Sequence, residues 1–159
     1  PVTVVHPESR ISFTNSVTID LLKPGNKTWD QPTDTLVPKI ICGNTSILLM
    51  GDDPVLQGDS AARILRVGDH GSRKAADAGF ISQINPDVAI ISTGPNQDEN
   101  PSIATLNLLE NNGVSVLRTD YDGVIIIQTD GNEYTVGKLR MEPEMTISLV
   151  SVVETRPPG

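Results

Sequence analysis

Ile64-Leu65-Arg66-Val67-Gly68-Asp69-His70-Gly71-Ser72 joins an apolar strand-like run to a loop carrying an acid, an imidazole and a hydroxyl. Such a run bounded by glycine reads as a buried strand. Polar residues directly after it occupy the carboxyl end, where open α/β sheets gather their ligands. Gly68 and Gly71 let a metal or a substrate approach the backbone closely. A neutral imidazole is a common zinc ligand, so His70 is a candidate, although a lone histidine is more often a hydrogen-bonded structural residue.

The same grammar occurs one strand earlier, in Ile47-Leu48-Leu49-Met50-Gly51-Asp52-Asp53. A strand ending in Gly-Asp turns sharply and leaves the Asp52 carboxylate at the sheet rim, where it could meet a cation; the plain alternative is an Asx turn. Read together, the two loops deliver Asp52 and then His70 to one rim, which is what a metal site requires.

Working outward, the amino-terminal third alternates apolar and polar residues (Val17, Ile19, Leu21; Leu36, Ile40) between turn clusters such as Pro24-Gly25-Asn26 and Gly43-Asn44, the pattern of antiparallel hairpins. Trp29 to Pro38 is polar and proline-bearing and reads as a loop. After Met50 the spacing predicts a helix over Leu56 to Ala62, a strand Ile64 to Val67, a helix Ala75 to Ile84 and a strand Val88 to Ser92. A further helix is expected with Asn100 as its cap, Pro101 in its first position, Ile103, Leu106 and Leu109 on its buried face, and Gly113 as its left-handed stop. Strands Val114 to Leu117 and Val124 to Gln128 follow, then a two-residue Asp130-Gly131 hairpin into Glu133 to Val136. Met145 to Val153 reads as one more strand, within a 141–159 edge-and-tail segment.

Length and composition narrow the classes. At 159 residues the chain is one domain. Twelve Lys plus Arg against twenty Asp plus Glu leave a net charge of -8, which repels a phosphate backbone. Five aromatic residues, Phe13, Trp29, Phe80, Tyr121 and Tyr134, are too few for a base-stacking surface. The single cysteine, Cys42, excludes an internal disulfide and a Cys-rich zinc module. No apolar run exceeds four residues, as in Val124 to Ile127, against the roughly 20 that span a bilayer. Pro1 at one end and Arg156-Pro157-Pro158-Gly159 at the other read as the cut ends of a larger protein.

The order Leu48-Leu49-Met50-Gly51-Asp52, Ile64 to Ser72, Ile84-Asn85-Pro86-Asp87-Val88-Ala89-Ile90-Ile91-Ser92 and Arg118-Thr119-Asp120-Tyr121-Asp122-Gly123-Val124-Ile125 resembles the carboxy-terminal half of the ComEC competence-protein hydrolase domain, of the metallo-β-lactamase fold. The resemblance covers residues 11 to 136. It implies an α/β fold, a metallo-β-lactamase-like αββα sandwich represented mainly by its carboxy-terminal half, a mixed sheet with helices on one face. It further implies a two-metal zinc or manganese site for phosphodiester hydrolysis, with Asp52 as bridging ligand, His70 as terminal ligand and Asp69 as a second ligand or proton carrier. The implied setting is a soluble domain of a bacterial membrane protein, joined to its channel portion and meeting DNA only indirectly.

Departures from the family pattern bear on activity. The family's H-x-H-x-D-H cluster is absent, since the histidines are His6 and His70 alone, and His6 stands on an isolated strand-like segment. The first His of the family's H-H-G-S is Asp69 here, and its G-H-P histidine is Asn100. The chain by itself is therefore expected to be inactive, either as a half completed by a missing amino-terminal half or as a non-catalytic assembly domain; an independent cation-binding domain is a third reading. Half a sandwich would expose the inner face of its sheet, which predicts an isologous homodimer.

Overall fold

The computed structural model describes residues 8–13, 16–23, 36–52, 56, 58–94, 99–141 and 147–152. His6 and residues 29–35 of the expected loop lie outside them. A seven-stranded sheet runs in chain order: β1 (Arg10–Ser12), β2 (Val17–Leu22), β3 (Val37–Cys42), β4 (Thr45–Leu49), β5 (Ile64–Val67), β6 (Val88–Ile91) and β7 (Ser115–Arg118). The first four strands pair antiparallel, and the two-residue turn Gly43-Asn44 joins β3 to β4. From β4 to β7 the pairing is parallel, and such connections need crossovers. Helix α1 (Ala78–Ile84) crosses from β5 to β6, and α2 (Ile103–Asn111) from β6 to β7.

Successive side chains of a strand point to opposite faces, so the register assigns each residue a side. On the outer face Leu48, Leu65, Val67, Ala89 and Ile91 form the main core with Phe80, Ile81 and Ile84 of α1 and Leu109 of α2. Burying each of the larger side chains contributes about 1.5–3 kcal/mol. On the inner face the register aligns Ile11, Ile19, Ile40, Ile47, Ile64 and Val88 in one row across six strands. Ile64, Val88 and Leu117 pack there against Tyr134 and Val136, joined by Ile125 and Ile127. These four residues belong to a second, antiparallel sheet of β8 (Val124–Thr129), β9 (Tyr134–Met141) and β10 (Ile147–Val152), in the order β10-β9-β8. The layers are thus helices, large sheet, small sheet.

The tip of the β8–β9 hairpin is bolted to the opposite end of the large sheet. Asn44 donates its backbone N–H to Gly131 O, and Thr129 Oγ1 lies 2.9 Å from Thr45 Oγ1. A Cβ at Gly43, whose φ is +54°, would stand 2.3 Å from Gly131 O, so the turn admits no side chain. Beside it the Arg63 guanidinium lies 4.7 Å from the Tyr134 ring centre and bonds Asp87 at 2.8 Å.

Several expectations are corrected. Among the described residues of the Leu56 to Ala62 stretch there is no helix: Gly58 has φ +90°, and the Asp59 carboxylate accepts from Ala61 N, so the backbone turns instead. Helix α1 begins at Ala78 and not at Ala75, because Asp77 caps it by accepting from Phe80 N at 2.8 Å. Helix α2 is capped by Ser102, which accepts from Thr105 N at 3.1 Å, and not by Asn100; the Asn100–Pro101 bond is cis and both residues precede the helix. Ile103 is 75% exposed, so the buried face is Thr105 and Leu109, flanked by Leu106 and Leu108. Gly113 does supply the left-handed stop, at φ +72°, with Gly113 N bonding Glu110 O and Val114 N bonding Leu109 O. The Asp130-Gly131 hairpin has a four-residue loop, 130–133, because Thr129 pairs with Tyr134 and the Asp130 carboxylate accepts from both Asn132 N and Glu133 N. The inner face of the large sheet is partly covered by the chain's own second sheet, around Ile64, Val88 and Leu117.

Candidate functional site

Because β4 to β7 run parallel, all four end at one rim. Glycines let the loops there close on each other. A Cβ at Gly68 would fall 1.7 Å from Gly51 O, so the loop bearing Asp52 and the loop bearing His70 touch backbone to backbone. A Cβ at Gly71 would fall 2.7 Å from Pro101 Cβ, and Ser102 N donates to Gly71 O at 2.9 Å. Thr105 Oγ1 donates to Ser72 O at 2.7 Å, fixing the same loop to α2. Across the next strand end, Thr119 Oγ1 accepts from Thr93 N at 2.8 Å and donates to Thr93 O at 2.6 Å.

Asp69 and His70 both adopt left-handed backbone, with φ +44° and +49°, inside a 3-10 turn spanning Asp69–Gly71. Each such residue costs about 1–3 kcal/mol outside glycine, and strain of this kind persists only where the surroundings impose it. Here Gly71 N bonds Gly68 O and Ser72 N bonds Asp69 O. The turn exposes the His70 ring and sets Nδ1 at 2.7 Å from Ser92 O. A carbonyl oxygen only accepts, so Nδ1 donates to it, the kind of bond that orients the ring of metal-binding and base-type histidines. Asp69 is half-buried and its Oδ2 accepts the Ser72 hydroxyl. Asp52 is exposed one residue past Gly51.

The geometry therefore brings Asp52, Asp69 and His70 to adjoining loops, yet a metal centre needs more. Zinc takes three or four protein ligands. Among the described residues no group of three or more His, Cys, Asp or Glu lies close enough to hold an ion. The described residues do not fit a two-metal zinc or manganese site.

Sequence reading quoted Arg118 to Gly123 for the resemblance but gave the charged cluster after β7 no site role. Arg118 pairs with Asp120 at 2.6 Å and stacks 4.3 Å from the Tyr121 ring centre, in a short helix α3 (Thr119–Asp122) that periodicity did not show. Asp122 receives Arg118 N at 2.8 Å and Lys138 Nζ at 2.9 Å. Burial pushes the Asp122 carboxyl up, but the Arg118 amide and the Lys138 ammonium outweigh it and leave the group below the usual carboxylate range. Arg66 was likewise passed over: its Nη1 donates to Met50 O at the rim. The alternation Arg-Thr-Asp-x-Asp-Gly was the available signal for the first cluster. For Arg66 the signal was a cation at an otherwise apolar strand position.

No family model matches the chain. Curated relatives do. It is 43% identical over 65 residues to ComE operon protein 3 of Bacillus subtilis (strain 168), covering 40% of this chain and 8% of that protein. Competence protein ComA of Neisseria gonorrhoeae is 25% identical over 122 residues, 70% of this chain and 18% of that protein. Recombination protein 2 of Haemophilus influenzae is 41% identical over 58 residues, 33% of this chain and 7% of that protein. The chain spans less than a fifth of the length of any of these three relatives. The similarity is to competence proteins, and it is partial and distant.

Proposed function

We propose that the chain works in competence as the carboxy-terminal part of a hydrolase-type domain in a ComEC-like DNA-uptake protein, attached to that protein's membrane channel portion. The carrying observation is the backbone contact of Gly51 with Gly68, which joins the Asp52 and His70 loops at the carboxyl rim of a parallel sheet. A metallo-β-lactamase-like αββα sandwich is the fold this reading favours, with helices, large sheet and small sheet as three of its four layers. Phosphodiester hydrolysis is the ancestral activity in this reading. In this reading the chain alone is inactive, because the family's H-x-H-x-D-H cluster has no counterpart in its sequence.

A second reading, a non-catalytic assembly domain, is favoured by one specific contact: the Asp69 carboxylate is engaged by the Ser72 hydroxyl within its own loop. Metal content and cleavage separate the two questions. The purified chain, equilibrated with zinc or manganese and dialysed, should retain no stoichiometric metal and should not cut single-stranded DNA; retained metal that is lost in Asp52→Ala, together with cleavage, would overturn the inactivity. For uptake, this chain is exchanged for the matching segment of ComE operon protein 3 in Bacillus subtilis, and transformation should persist. Loss of transformation at normal protein level would count against the role in uptake.

A further inference from the structure

We infer that Arg66 is an anion anchor at the rim and that the group it takes is a backbone phosphate of the transported DNA strand; the phosphate's source rests on the uptake reading above, whereas the anion site does not. Arg66 lies two residues after Ile64, which is fully buried in the inner cluster, so strand alternation turns Arg66 to the inner face as well. The register sets it between Leu49 and Ile90. This is an apolar neighbourhood for a half-buried guanidinium, and arginine is rarely buried there without a counter-ion.

Four other partly buried cations are neutralised. Lys39 pairs with Asp59, Arg63 with Asp87, Arg118 with Asp120 and Lys138 with Asp122. Among the described residues Arg66 has no carboxylate, and its one polar contact is the Met50 carbonyl. A guanidinium has five N–H donors, so that bond fixes its plane and leaves most of the fork available. Met50 leads directly into Gly51-Asp52, and Arg66 leads through Val67 into Gly68-Asp69-His70, so the anchored guanidinium sits at the base of both rim loops. A planar fork of this kind matches a phosphodiester, whose oxygens only accept. The net charge of -8 supplies no long-range attraction, so contact depends on local geometry and affinity is modest.

The test uses the purified chain with two probes: inorganic phosphate, followed by NMR shifts of the Arg66 and His70 side chains, and a short single-stranded oligonucleotide, followed by fluorescence anisotropy across a salt series. The wild type should bind both. Arg66→Met should weaken both about tenfold, as loss of one charged hydrogen-bonding contact implies, and should flatten the salt dependence for the oligonucleotide by about 0.7 in log–log slope. Arg66→Lys should fold like the wild type and keep the slope while losing part of the affinity. No binding by the wild type, or equal binding by Arg66→Met, overturns the anchor. Binding of phosphate without the oligonucleotide overturns DNA as its source. Transformation lost in the exchanged strain while Arg66-dependent binding persists counts against uptake alone, so the two failures are distinguishable.

Discussion

Gly68→Ala tests the contact on which the site depends. Gly68 has φ -74° and ψ 174°, an extended conformation that alanine adopts freely, so any cost is steric and not conformational. The added methyl would stand 1.7 Å from Gly51 O and 2.8 Å from Gly51 C, both backbone atoms that no rotamer change can move aside. Relief requires the 51–52 and 68–72 loops to part by well over an ångström. That movement would also disturb Met50 N bonding Arg66 O at 3.1 Å. Overpacking of a well-packed site costs about 1–3 kcal/mol, and the loss of a backbone bond adds about 1 kcal/mol, so destabilisation of about 3 kcal/mol is expected. For a chain of this size that is roughly a 6–12 °C fall in Tm. Gly58→Ala is the control: its Cβ meets nothing within 4 Å, and its φ of +90° leaves only backbone strain, of order 1–3 kcal/mol. Urea unfolding followed by circular dichroism measures both. A Gly68→Ala protein within 0.5 kcal/mol of wild type would refute the close approach of the two loops, and with it the shared rim.

Leu65→Ala, at a fully buried position of the outer core, should cost about 2–5 kcal/mol in the same assay. Asp77→Ala removes the acceptor for Phe80 N and should cost about 1 kcal/mol, with the loss seen as faster amide exchange in the first turn of α1. The Asp122 carboxyl is held below its unfolded value, so the stability it contributes is complete above the unfolded pKa near 3.8 and is lost as pH falls through the lower folded value. Unfolding measured between pH 5 and 2 should therefore show a shallower acid loss in Asp122→Asn than in wild type. An unchanged acid profile would argue against the Lys138 pair.

Local patterns carried much of the fold. Alternation marked the antiparallel strands β2 and β4, the apolar runs marked β5 and β6, and the Gly113 stop of α2 was readable because a left-handed C-terminus strongly favours glycine. The rim loops were legible for the same reason: Gly-Asp after an apolar run is a local signal. The misses have a common origin in contacts that local spacing does not encode. Asn100 looked like the helix cap, but Gly71 leaves room for Pro101 and binds Ser102 N, so the helix starts two residues later than a cap at Asn100 implies, with Ser102 capping it. Ile103 fell on the expected apolar spacing yet points to solvent, because Thr105 turns inward to bond Ser72 O.

By itself the sequence determined most of the strands and the helices α1 and α2, and that Asp52, Asp69 and His70 follow apolar strands, since these depend on periods of two and 3.6 residues and on glycine's lack of a side chain. Only the tertiary structure decided that the β8–β9 hairpin folds back over Ile64 and Val88, that Gly51 and Gly68 meet, and that among the described residues Arg66 has no carboxylate while Arg63 and Arg118 find one. The reason is physical: pairing Thr45 with Thr129, or Arg63 with Asp87 and Tyr134, depends on chain segments that meet only after collapse, and no local periodicity records which of them will meet.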